Sequence, residues 1–146
     1  MNERRVVVTG MGLVTPLGVG LDTVWQRLLN SQSGAGRIKK IDTTDLAVNI
    51  ACEVPLGDGA PDFNADDWVL PKEQRRVDDF IIFGLSAAEQ ALADAGWKPE
   101  GEESRLRTGI LVGSGIGGLP SIEAAAITLH ERGPRRISPF FIPGSL

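Results

Sequence analysis

Apolar and polar residues follow one another along this chain in blocks that predict strands and helices in alternation. The segment Arg5–Thr9 (RVVVT) is an unbroken β-branched run, and both residues 47–54 and Thr108–Gly115 (TGILVGSG) have a similar apolar character. Such runs are typical of strands that are buried on both faces of a sheet. Because segments of helical period lie between them, the pattern predicts an α/β fold with layers around a mainly parallel sheet.

The helical segments can be bounded from their periodicity and from the residues that flank them. The longest runs from Lys72 to Ala95 with an apolar stripe every three or four positions, and Gly96 follows it as a stop. An earlier helix is predicted to begin at a cap supplied by Asp22 or Thr23, and a later one to end at Gly133. These helices supply the outer layers of the predicted fold.

Composition narrows the class of protein. The 146 residues have the length of one ordinary domain, and the net charge of −4 gives no reason to expect bulk binding of nucleic acid. No apolar run is long enough to cross a bilayer, and the first residues lack the pattern of a secretory signal. The single cysteine, Cys52, excludes an internal disulfide framework and leaves too few soft ligands for structural zinc. We therefore expect a cytoplasmic protein without a metal.

The segment VGSGIGGLP (Val112–Pro120) raises the first question about chemistry. Gly113, Gly115 and Gly118 fit the G-x-G-x-x-G pattern of dinucleotide-binding turns, which would make this a nucleotide-binding oxidoreductase module. However, no strand ending in an acidic residue follows at the spacing that such a site requires. The other interpretation is that these glycines permit a tight turn and close backbone packing.

Four segments together resemble a known family: RRVVVTGMGLVTPLG, PKEQRRVDDF, VGSGIGGL and GPRRISPFFIPG. They occur in the same order in β-ketoacyl-acyl carrier protein synthases of the type II (KAS II) group, and the resemblance covers residues 4–146. It implies a thiolase-like layered fold, of which this chain is the N-terminal portion. It also implies a cofactor-free condensation that elongates a fatty acyl chain on acyl carrier protein, carried out by a homodimer.

The same resemblance implies an acyl-binding pocket. In that family the glycine-rich turn belongs to the pocket, and the residue that matches Ile116 gates it. Phe141 and Ile142 match positions at the far end of the pocket, where family dimers place residues of the partner subunit. For all three residues, ordinary packing in a core is the alternative interpretation.

Lys72, Arg75 and Arg76 are the candidate residues for docking the carrier protein. They stand at i, i+3 and i+4 of the predicted long helix, so their side chains can share one face. Cations at a helix N-terminus oppose the helix dipole, so three of them there are locally unfavourable and require a reason. The alternative interpretation is a solvated surface turn with ion pairs within the helix. The resemblance implies that the matching positions contact the acidic recognition helix of acyl carrier protein.

No catalytic residue is assigned in this chain. The family's nucleophilic cysteine and two histidines match nothing here, because Cys52 lies in an apolar strand-like run and His130 near a helix end. We expect Cys52 to be a buried, inert thiol. Residues 1–146 are thus predicted to form the N-terminal part of a longer synthase domain, inactive in isolation. A non-catalytic partner of the chain-length-factor type remains the alternative.

Overall fold

The computed structural model describes residues 4–146 and divides into two compact units. The first comprises residues up to Asn64 together with Ala87–Gly96, and the second comprises Ala65–Ser86 and Trp97–Leu146. The longest helix contributes to both units, with its N-terminal half in the second and its C-terminal half in the first.

The first unit contains two short hairpins and one helix of its own. Strand β1 (Val14–Thr15) pairs antiparallel with β2 (Gly18–Val19), and helix α1 (Leu21–Leu29) follows directly. Strand β3 (Gly36–Arg37) pairs antiparallel with β4 (Ile50–Ala51). Val24 of α1 and Phe63 are the buried apolar residues of this unit among those described.

The second unit is mostly helical. It contains α2 (Pro71–Gln74), the first half of α3 (Asp79–Ala95), α4 (Glu102–Leu106), α5 (Leu119–Arg132) and α6 (Phe141–Ser145). Two 3₁₀ turns, Ala65–Asp67 and Pro134–Arg136, connect these helices to their neighbours. The apolar residues buried in this unit, among those described, are Val69 and Ile82.

The helix ends confirm some predictions and correct others. Helix α3 ends before Gly96 (φ 59°) and α5 ends before Gly133 (φ 78°), as expected from the ability of glycine to adopt positive φ. The predicted cap at Asp22 or Thr23 is wrong. Helix α1 already begins at Leu21, after Gly20 (φ 88°), and no side chain caps it.

The prediction of one continuous helix from Lys72 to Ala95 is also wrong. Helix α2 ends at Gln74 and α3 begins at Asp79, with a non-helical turn between them. The backbone N–H of Asp78 donates to the carbonyl of Gly144 at 3.0 Å, and is therefore lost to the i to i−4 ladder. A tertiary contact thus breaks a helix that local periodicity favours.

The mainly parallel sheet is not confirmed. The described residues form the two antiparallel hairpins and one isolated parallel bridge between Leu56 and Phe63, and neither Arg5–Thr9 nor Thr108–Gly115 forms a strand. Val6 is 95% exposed and Leu111 is 99% exposed. A strand needs a neighbouring strand to satisfy its backbone groups, and the described part of the chain supplies none to these two segments.

The chain's one cysteine and one histidine are both exposed. Cys52 is exposed, so the expectation of a buried thiol is wrong, because it follows a hairpin whose two strands, β3 and β4, consist of exposed residues. His130 lies in the last turn of α5, as predicted, and is exposed. Among residues 4–146, no helix has both the length and the apolar character needed to traverse a bilayer.

Candidate functional site

The glycine-rich turn, residues 113–118, has one open end and one packed end. A Cβ added at Gly113 or Gly115 would meet no atom within 4 Å. At Gly118, which is buried, it would collide with the Asp78 carboxylate and lie 2.7 Å from the Cα of Ser145. Gly117 has a φ of 74°, which other residues rarely adopt. Glycine is therefore required at the packed end, and space alone does not require it at the open end.

Asp78 supplies the polar contacts at the packed end. Its carboxylate accepts the hydroxyl of Ser121 at 2.7 Å and the backbone N–H of Ser121 at 3.4 Å. Helix α5 begins after Gly118, which has no side chain with which to cap it, and Pro120 in its first turn has no N–H. The carboxylate of Asp78 thus takes the place of a capping side chain and carries the negative charge that a helix N-terminus favours.

This arrangement answers the question that the glycine pattern raised. In a dinucleotide site, the pyrophosphate lies at the N-terminus of the helix that follows the glycines. Here the protein's own carboxylate lies there, and residues 108–114 before the turn do not form the required strand. The structure favours the packing interpretation at Gly118 over the nucleotide-binding one.

The three candidate pocket residues lie on two segments that are hydrogen-bonded to each other. Ile116, in the glycine-rich turn, is 75% exposed, Phe141 is half-buried in α6 and Ile142 beside it is 58% exposed. The N–H of Gly118 donates to the carbonyl of Ser145 at 2.9 Å, which fixes the packed end of the turn against the end of α6. The described residues do not enclose Ile116, so its role as a gate stays a prediction.

The three candidate docking cations lie on α2 and on the turn that follows it. Lys72, Arg75 and Arg76 are all exposed. Lys72 belongs to α2, whereas the arginines occupy the break between α2 and α3. The argument from an unfavourable dipole at the start of one long helix therefore fails. Their exposure and their closeness in the sequence remain.

A cavity of about 310 Å³ opens beside the two arginines. Arg75, Arg76 and Arg136 contribute three positive charges to its lining, and the guanidinium carbon of Arg76 lies 4.5 Å from the ring centroid of Phe140. A cation at this distance from an aromatic face is held by the ring quadrupole. The remaining lining includes Asp78, Ser121 and Phe141.

Arg136 is the member of this group that the sequence analysis missed. It lies in the 3₁₀ turn Pro134–Arg136, sixty residues after Arg76 in the sequence, so no local spacing connects them. The available signal was the pair of arginines in GPRRISPFFIPG, one of the four segments on which the resemblance rests. We name Lys72, Arg75, Arg76 and Arg136 the basic surface.

The described residues offer no obvious place for a metal. Within residues 4–146, no three histidine, cysteine, aspartate or glutamate side chains come close enough together to bind one. The polar groups of the site include the carboxylate of Asp78, the hydroxyls of Ser121, Thr128 and Ser138, and the cations of the basic surface. Such groups can bind an anionic or acidic partner and orient an apolar chain.

Comparison with known proteins places this geometry in context. The family model for the beta-ketoacyl synthase, N-terminal domain matches residues 3–145. The chain is 56% identical over 144 residues to 3-oxoacyl-[acyl-carrier-protein] synthase 2 of Rhizobium meliloti, and 42% identical over 146 residues to the protein of the same name from Vibrio harveyi. The two matches include 98% and 100% of this chain, respectively. The chain spans only 34% of the length of each relative.

A solved structure agrees with these sequence matches. The crystal structure of a beta-ketoacyl synthase from Burkholderia phymatum superposes with a TM-score of 0.74 at 30% sequence identity. The match covers 99% of this chain and 34% of that one. The thiolase-like ketosynthase fold implied by the resemblance is therefore confirmed at the level of architecture, whereas the parallel sheet within it is not.

Proposed function

We propose a function from one premise: this chain belongs to the beta-ketoacyl synthase family, whose N-terminal domain it matches over residues 3–145. The function is that of the N-terminal part of a 3-oxoacyl-[acyl carrier protein] synthase, an acyltransferase of fatty acid biosynthesis. The synthase would extend an acyl chain by decarboxylative condensation with malonyl-acyl carrier protein. The observation that carries the proposal is the 56% identity to a relative named for this activity.

The names of the curated relatives also favour a synthase over the chain-length-factor alternative. The relatives from Rhizobium meliloti and Vibrio harveyi are both named as synthases. In the proposed enzyme the nucleophilic cysteine and the two histidines would come from outside residues 1–146. Neither Cys52 nor His130 takes part in the chemistry. We also propose that the synthase is a homodimer and that it is located in the cytoplasm.

The basic surface is the proposed docking site for acyl carrier protein. Lys72, Arg75 and Arg76 are exposed, and the two arginines lie beside a third, Arg136, around one cavity. The curated relatives are named for an acyl-carrier-protein substrate, and the resemblance implies that its acidic helix is the part recognised. Clustered positive charges opposite an acidic helix raise the association rate and make it dependent on salt.

Charge reversal of the basic surface tests this proposal. In the synthase that contains this chain, Lys72→Glu, Arg75→Glu and Arg76→Glu together should raise KM for acyl carrier protein at least about tenfold, since rim charges control encounter. The salt dependence of kcat/KM should weaken at the same time. Activity on an acyl-pantetheine primer, which lacks the acidic helix, should be nearly unchanged.

A second triple reversal is the matched control. Lys98, Arg105 and Arg107 are also exposed, and their replacement by glutamate changes the net charge by the same amount. The control should leave KM for the carrier protein close to that of the unmodified enzyme. If both triple variants raise KM equally, the effect comes from net charge, and the docking site lies elsewhere. If the unmodified synthase condenses no acyl and malonyl groups, the proposed function itself is wrong.

A further inference from the structure

We propose that Asp78 is a positioning residue that sets acyl chain-length selectivity by anchoring the glycine-rich turn that carries Ile116. The inference rests on the proposed function, because it takes Ile116 as the gate of an acyl pocket. It assigns to Asp78 neither a contact with the substrate nor a part in the chemical step. Its basis is the set of hydrogen bonds that converge on Asp78.

Three segments meet at this residue. The carboxylate of Asp78 accepts from the hydroxyl and the N–H of Ser121 in the first turn of α5, and its own N–H donates to the carbonyl of Gly144 in α6. The N–H of Gly118 donates to the carbonyl of Ser145, which closes the connection between α5 and α6. Asp78 thereby fixes both segments that carry the candidate pocket residues.

The close packing around these bonds allows little movement. Gly118, Gly144 and Ser145 are buried. A Cβ at Gly144 would collide with the carbonyl oxygen of Arg76, just as one at Gly118 would collide with the Asp78 carboxylate. Because the backbones approach so closely, a displaced Asp78 carboxylate would also displace the start of α5.

Among the described residues, Ile116 is tied to the rest of the unit through its C-terminal side. On its N-terminal side, Gly113 and Gly115 have no atom within 4 Å of an added Cβ, so packing does not restrain this end of the turn. Within the turn, the N–H of Gly117 donates to the Ser114 hydroxyl at 3.0 Å, and on the C-terminal side of Ile116 the N–H of Gly118 donates to the carbonyl of Ser145. The anchor at Gly118 and Ser121 is therefore the means by which the rest of the unit controls Ile116.

Asp78 also connects the pocket segments to the basic surface. Arg75 and Arg76 lie just before it in the break between α2 and α3, and Asp78 shares the lining of their cavity. The side chain that anchors the gate is thus two or three residues from the cations proposed to meet the carrier protein. Selectivity has to be measured without the carrier protein, so that docking does not enter the result.

The test uses the synthase that contains this chain, with short and long acyl-pantetheine primers. The measured quantity is the ratio of kcat/KM between the two primers. Asp78→Ala should reduce the discrimination about tenfold, since small displacements of a positioning group have large kinetic effects. Ser121→Ala keeps the N–H contact and should reduce the discrimination between the primers less. Ser121→Thr keeps a hydroxyl and should retain the discrimination of the unmodified enzyme.

Further variants separate positioning from a loss of stability. Glu123→Gln removes an exposed carboxylate from α5 and should leave the ratio unchanged. If Asp78→Ala does not fold, Asp78→Asn takes its place in the test. Asp78→Asn keeps one acceptor oxygen and should show a partial effect on the primer ratio. In the double variant Asp78→Ala/Ser121→Ala, the change should equal that of Asp78→Ala alone, because both side chains act through one contact.

Hydrogen exchange gives a readout that does not depend on activity. Asp78→Asn should speed exchange at the amide of Ser121, and at the amide of Gly118 if the anchor holds the turn as proposed. An unchanged primer ratio, with equal loss of activity on both primers, would overturn the inference and leave Asp78 a purely structural residue. A lack of condensation by the unmodified synthase would instead refute the proposed function, so the two failures are distinguishable.

Discussion

The turn at Gly10–Gly12 and the turn at Gly113–Gly118 have similar glycine patterns, and each is stabilised by the protein's own polar side chains. At the first turn, the N–H of Met11 donates to the Asp94 carboxylate at 2.9 Å, and that of Leu13 donates to the Gln90 side-chain oxygen at 3.3 Å. At the second turn, Asp78 accepts from Ser121. In both places a side-chain oxygen of the protein accepts from backbone N–H groups that would otherwise be available to bind a phosphate.

The two turns differ in how completely they are packed. A Cβ at Gly10 or Gly12 would collide with the backbone of α3, so both glycines of the first turn are required by close packing. In the second turn only the C-terminal end is packed, and Ile116 lies next to the open end. The comparison indicates a structural role for the first turn, whereas the second has at its open end the space that the proposed gate at Ile116 would need.

The largest effect is expected from Gly12→Ala. The new methyl group would collide with the carbonyl oxygen of Ala87 and lie 2.8 Å from the backbone nitrogen of Ala91, and neither atom can move without the helix. We expect a destabilisation of about 1–3 kcal/mol, the usual cost of overpacking. Thermal melting of the proposed synthase measures it, and its chain-length selectivity should not change.

Gly36→Ala is the control for this prediction. Gly36 lies in β3 of the same unit, has no atom within 4 Å of an added Cβ and does not require a positive φ. Its replacement should leave the melting temperature nearly unchanged. A change in primer selectivity in Gly12→Ala would contradict the comparison, because it would give the first turn a share in the acyl pocket.

The sequence predicted those features of the fold that depend on local signals. The ends of α3 and α5 followed from Gly96 and Gly133, because glycine alone enters positive φ at little cost. The break at Asp78 could not be predicted, since it depends on a hydrogen bond to Gly144, sixty-six positions away. The segments around Val6 and Leu111 read as strands, but strand formation depends on a partner that local sequence does not specify.

The sequence predicted only part of the candidate site, again because some of its contacts join residues that are far apart in the sequence. Ile116, Phe141 and Ile142 came from the resemblance, as did the docking role of the cations, and their roles remain predictions. Neither Arg136 nor Asp78 was assigned a role, because their contacts join distant parts of the sequence. The role proposed for Asp78 follows from the hydrogen bonds around it.

The second effect in size is expected from Ile116→Phe. If Ile116 gates an alkyl pocket, the larger ring should fill the entrance and reject long acyl primers while short ones are still accepted. Each excluded methylene is worth about 1–3 kcal/mol in a hydrophobic pocket, so the discrimination between primers should change at least about tenfold. Steady-state kinetics with short and long acyl-pantetheines measures the change.

Ile116→Leu is the matched control for the gate. It conserves side-chain volume and should keep the selectivity close to that of the unmodified enzyme. Equal loss of activity on short and long primers in Ile116→Phe would indicate a folding defect. In that case Ile116 would be an ordinary packed residue, and the two turns would not differ in function.

The smallest effect is expected from Gly115→Ala, and it is the most direct test of whether the second turn is open. No atom lies within 4 Å of a Cβ at this position, and its φ is outside the left-handed region, so alanine fits without strain. Alanine also has fewer conformations than glycine in the unfolded chain, which should stabilise the protein by about 0.4–1 kcal/mol. Thermal melting should therefore show a small rise in melting temperature, opposite in sign to the effect of Gly12→Ala.

A destabilisation by Gly115→Ala as large as that of Gly12→Ala would mean that another part of the proposed synthase packs against Gly115. Ile116 would then be held from both sides, and control of the gate would no longer depend on Asp78 alone.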